Sequence, residues 1–85
     1  MTETELATLT AGLPERFADR LPAPELDGLR SMARSGEWDE LLDLLVQALR
    51  QTQAPVSGEE RDQLRAAFTG WGMPTGILAS LNVNR

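Results

Sequence analysis

The sequence has no cysteine, histidine, lysine or tyrosine, and every one of its eight basic residues is arginine. Each absence closes a class of chemistry. Without Cys or His the usual zinc and iron sites, a thiolate nucleophile, a Ser-His pair and a disulfide staple are all excluded, so neither metal nor cofactor is expected. Positive charge is also in deficit. With a formal net charge of −5 the chain is poorly suited to a phosphate backbone, and nucleic acid is not expected as a partner. Long hydrophobic runs are missing too, since the most apolar stretch, Leu41 to Leu49, is broken by Asp43 and Gln47. A spanning helix needs about 18 apolar residues, so no membrane partner is expected. The first residues carry Glu3 and Glu5 and no Arg, the reverse of a secretory leader, which reads as a cytoplasmic protein.

What is present is one small domain's worth of chain. At 85 residues it should form a single unit that buries roughly 63% of the surface exposed when unfolded, too little for a deep enclosed active site.

Hydrophobic period assigns the class. Leu6, Leu9, Leu13, Phe17 and Leu21 recur at three- and four-residue intervals, the stripe of an amphipathic helix. Thr2 and Glu5 have capping-box spacing at its start, while Gly12 and Pro14 predict a kink or two short helices meeting near Leu13. After the Leu21-Pro22-Ala23-Pro24 linker, a second helix runs from Pro24 to about Arg34 and is stopped by Ser35-Gly36. The strongest pattern is Trp38, Leu41, Leu42, Leu45 and Leu49, which predicts a central helix from Glu37 to about Gln51. Ser57 and Glu60 repeat the capping-box spacing and open a fourth helix with Leu64, Ala67, Phe68 and Trp71 inward. Gly70, Gly72 and Pro74 then break the chain, and Ile77, Leu78 and Leu81 predict a last short helix or turn that closes the core. Residues 1–3 and 82–85 read as frayed ends. No segment alternates with the period of a strand, so the expected fold is all-α, an irregular bundle of four to five short helices.

The densest chemistry lies at the start of the third helix, where Glu37, Asp39, Glu40 and Asp43 place four acids in seven residues. On the face opposite the core stripe they meet water, and water gives a carboxylate none of the tuning that acid-base catalysis needs. An enzymatic role is not expected. Acids in the first turn also stabilise the helix through its dipole, and that contribution alone accounts for many such clusters. The functional reading is a negative patch for a basic partner. Leu44 sits at the edge of this polar face, either covered by another helix or exposed for contact. Trp38 and Trp71 are of a type enriched at binding hot spots, but both are in phase with core stripes, which favours packing; around Trp71, Gly70, Gly72, Met73 and Pro74 leave little helix to cover it, so partner contact stays open there. The i, i+4 pairs Arg16/Arg20, Arg30/Arg34 and Arg61/Arg65 read as solvated mixed-charge surface.

Three segments together carry a resemblance: Ser35-Gly36-Glu37-Trp38, then Leu41-Leu42-Asp43-x-Leu45 with Leu49 following, then Pro55-Val56-Ser57-x-Glu59-Glu60 opening a helix. In layout, from about Leu6 to about Leu81, the chain resembles the MafI-type immunity proteins, small acidic helical bacterial proteins encoded beside polymorphic toxins. Leu41 stands where that family often has Ala. The resemblance implies a non-enzymatic inhibitor that occludes the active or substrate-binding surface of a cognate toxin domain, often a nuclease. A toxin that handles nucleic acid presents a basic surface, to which an acidic helical face is attracted. On that reading Glu37, Asp39, Glu40 and Asp43 face the toxin, with Leu44 or Trp71 as apolar anchor; these positions follow from the surface pattern and not from the family. The alternative is an interaction or adaptor module without inhibitory activity, including one that self-associates.

Overall fold

The computed structural model describes residues 1–84. Four α-helices carry the fold: α1 (Glu3–Arg16), α2 (Ala23–Ser35), α3 (Trp38–Thr52) and α4 (Gly58–Gly70). Short 3-10 turns at Ala18–Arg20 and Gly76–Ser80 and two three-residue strands, β1 (Pro55–Ser57) and β2 (Asn82–Asn84), complete the described chain. The architecture is a small all-α bundle. No helix among the described residues is long and apolar enough to cross a membrane.

The helix boundaries follow from local chemistry. Thr2 accepts from the Glu5 amide at 3.1 Å while the Glu5 carboxylate accepts from the Thr2 amide at 3.0 Å, so both donors at the start of α1 are satisfied. Ser57 and Glu60 do the same for α4 at 3.0 and 2.9 Å. Gly36 ends α2 with φ +70°, a left-handed conformation that costs glycine nothing, and its neighbour Glu37 is the residue from which α3 starts.

The core is built around α3, whose Leu41, Leu42, Leu45, Val46, Ala48 and Leu49 are all buried. Phe17, Leu13, Leu29, Leu64 and Phe68 close on them from the other helices. At about 25 cal/mol per Å2, each fully buried Leu or Phe contributes roughly 2 kcal/mol, so this cluster supplies most of the force that orders the helices.

Several expectations are corrected by the packing. Of the two alternatives for Pro14, a pair of short helices is overturned, because α1 runs unbroken to Arg16 with Pro14 inside it. It lies in the last turns of the helix and is itself buried beside Leu13 and Phe17, so tertiary packing offsets the missing backbone donor. Residues 82–84 do not fray. They pair parallel with β1, Val56 opposite Val83, and the Asn82 side-chain amide donates to the Gln53 carbonyl at 2.9 Å. Thr2 likewise is fixed by its cap, and position 85 lies outside the described residues. Of the last apolar trio Leu78 and Leu81 close the core, but Ile77 is 39% exposed.

Arg16 and Arg20 are also more than solvated surface. Both reach Glu60, which is only 5% exposed: Arg20 places Nη1 and Nη2 each 2.7 Å from one carboxylate oxygen, and Arg16 Nε lies 3.0 Å away. Arg20 also donates to the Pro55 carbonyl at 2.9 Å and covers the Phe17 ring at 4.8 Å. The Arg20 hydrogen bonds, aided by the Ser57 amide, hold the Glu60 carboxyl down at about 2, and the same pairing raises Arg20. This network ties the end of α1 to the start of α4.

Candidate functional site

The candidate site is the exposed face at the start of α3. Trp38 opens the helix and Trp71 caps the end of α4, and folding brings them together as a stacked pair with centroids 6.0 Å apart and planes 16° from parallel. Trp71 is held from a second direction, since its Nε1 donates to Thr10 Oγ1 at 2.9 Å and that hydroxyl donates to the Leu6 carbonyl at 2.8 Å. The indole pair is therefore fixed in orientation by α1, α3 and α4 at once. Both rings are half-buried, so each packs and keeps an accessible part.

Around this pair lie the predicted acids. Glu37, Asp39 and Glu40, with Gly36, line the shallow recess bordered by Trp38 and Trp71. All three carboxylates are exposed. Asp43, also exposed, lies one helical turn further along α3, where it borders a separate groove with Met73, Pro74 and Ile77. Among the described residues none of these four acids is in an ion pair, whereas Arg16, Arg20, Arg30 and Arg61 are paired elsewhere. The face thus presents uncompensated negative charge beside aromatic surface, the arrangement that attracts a guanidinium or ammonium group.

Leu44 does not line this recess. It is half-buried against α2, with Cδ2 3.8 Å from the position a β-carbon on Gly28 would take, and is covered to the same class as Trp38 and Trp71. The structure thus unites Glu37, Asp39, Glu40 and Trp71 around one recess, sets Asp43 alongside, and places Leu44 on the α2 side of the helix. Two contributors lie outside the acidic pattern. Trp38 is in phase with the α3 stripe, which favours packing over contact; being first in the helix, it has no preceding turn to cover it. Ile77 was read inward, and only the 3-10 geometry of Gly76–Ser80 turns it out.

Among the described residues no group of three or more Asp or Glu is arranged to hold a metal ion. Comparison with family models, curated proteins and solved structures returned no match for this chain.

Proposed function

We propose that this chain is a non-enzymatic immunity protein that binds a toxin domain through the acidic face of α3 and occludes its active or substrate-binding surface. The observation that carries the reading is the rigid Trp38–Trp71 stack bordered by the unpaired Glu37, Asp39 and Glu40. Tryptophan that is already ordered loses little entropy on binding and often dominates interface energy, while like charges around it select a basic partner and speed encounter. The layout that resembles MafI-type immunity proteins gives that partner its class: a bacterial toxin with a basic surface, met in the cytoplasm.

Co-expression with the C-terminal region encoded by the adjacent upstream gene tests this, scored by cell survival and co-purification. Survival with a stable complex supports immunity. A harmless neighbour, or toxicity without rescue, removes the reading and leaves a helical adaptor module in its place.

A further inference from the structure

Beside Asp43 a groove of about 310 Å3 runs between α3 and the segment that follows α4. Its floor is apolar, formed by Val46 and Phe68, each 1% exposed. Met73, Pro74 and Ile77 wall one side, and Asp43, Gln47 and Arg50 form the polar rim on α3. A dry floor with a charged rim is the anatomy of a protein-interface pocket, and the volume suits one or two side chains. Ile77 is 39% exposed while its neighbour Leu78 is 1% exposed, so the Ile77 side chain extends the apolar surface at the groove's edge.

We propose that this groove seats one apolar side chain of a bound protein segment whose neighbouring Arg or Lys pairs with Asp43. The inference rests on the reading of the α3 face as a docking surface and adds what the partner must carry. Charge gives the groove a direction. Asp43 stands toward Asp39 and Glu40, whereas Arg50 is seven residues further along α3, about 10 Å at the helical rise, so the segment's basic residue belongs at the Asp43 end. A second copy of this chain fits poorly, because it would bring another acidic face of a −5 protein against Asp43. A basic segment with an apolar anchor meets both halves of the site.

Panning a phage-displayed library of random dodecapeptides on the full chain tests the assignment, followed by titration of a selected synthetic peptide into 15N-labelled protein. Selected peptides should hold a large apolar residue within four positions of Arg or Lys, and amide shifts should concentrate at Val46, Gln47, Met73 and Ile77. Ile77→Asp should weaken the peptide about tenfold and Asp43→Arg about fivefold, with Arg50→Glu neutral or favourable. Shift mapping on the unaltered protein keeps the test sound if a variant unfolds. Shifts elsewhere, acidic peptides, no enrichment, or a dimer in sedimentation that Ile77→Asp abolishes would each overturn the proposal. Peptides bound in the groove without any complex with the neighbouring toxin domain sink the immunity reading alone. A toxin complex indifferent to Ile77→Asp sinks the groove assignment alone.

Discussion

Trp38 stacks on Trp71 with ring centroids 6.0 Å apart, and the contact joins the first residue of α3 to the cap of α4 across 32 intervening positions of sequence. Its orientation depends on Thr10, the hydroxyl that receives the Trp71 Nε1 proton at 2.9 Å. Thr10 is fully buried, so removing its oxygen leaves the indole donor without its protein partner. Thr10→Val keeps the volume and should cost about 1 to 2 kcal/mol, read as a lower urea midpoint with unchanged slope. Tryptophan emission anisotropy should fall in the same variant as the ring gains freedom. An unchanged midpoint would show that the hydrogen bond does not hold the pair.

The Glu60 network makes stability depend on pH. Its folded carboxyl is held at about 2, below the ordinary glutamate value of 4.5, so the unfolded chain takes up the proton first as pH falls. The contribution is fully present above about pH 4.5 and is lost progressively as pH drops toward 2. It amounts to about 3 kcal/mol. Urea titrations at pH 7 and pH 3 should show about two-thirds of this loss, roughly 2 kcal/mol, and Glu60→Gln should be less stable at pH 7 with a flatter profile across that window. A steep acid dependence that survives Glu60→Gln would assign the effect to other carboxylates.

Truncation after Leu81 tests the strand pair. Removing β2 uncovers Val56, which is fully buried opposite Val83, and breaks the Asn82 bond to the Gln53 carbonyl. A loss of about 1 to 2 kcal/mol, or on the order of 5 to 10 °C in melting temperature, is expected for a domain of this size. A melting temperature that does not move would mean the tail is dispensable.

The helices were legible because their causes are local. The α3 stripe and both capping boxes depend on residues within one or two turns, and each stands where its spacing places it. What the sequence could not disclose was long-range. Strands of three residues are too short to show a period, and the register of Val56 with Val83 is set only once the helices have packed. Arg16 and Arg20 have the spacing of a solvated pair, and nothing local says that Glu60, forty residues away from Arg20, will be buried between them. At the candidate site the acids of α3 were evident from composition, while the Trp38–Trp71 stack and the fate of Leu44 follow from how α2 and α4 lie against α3.

On the proposed function, the acidic face of α3 engages a basic toxin surface. The most direct test is the association rate with the toxin domain encoded next door, measured by stopped-flow tryptophan fluorescence from low salt to 0.5 M for the natural chain and for the combined Asp39→Arg, Glu40→Arg, Asp43→Arg variant. The natural chain should associate at least tenfold more slowly at high salt, and the variant should be slower still at low salt with little or inverted salt dependence. Association that is insensitive both to salt and to reversal of the three acids would contradict the account.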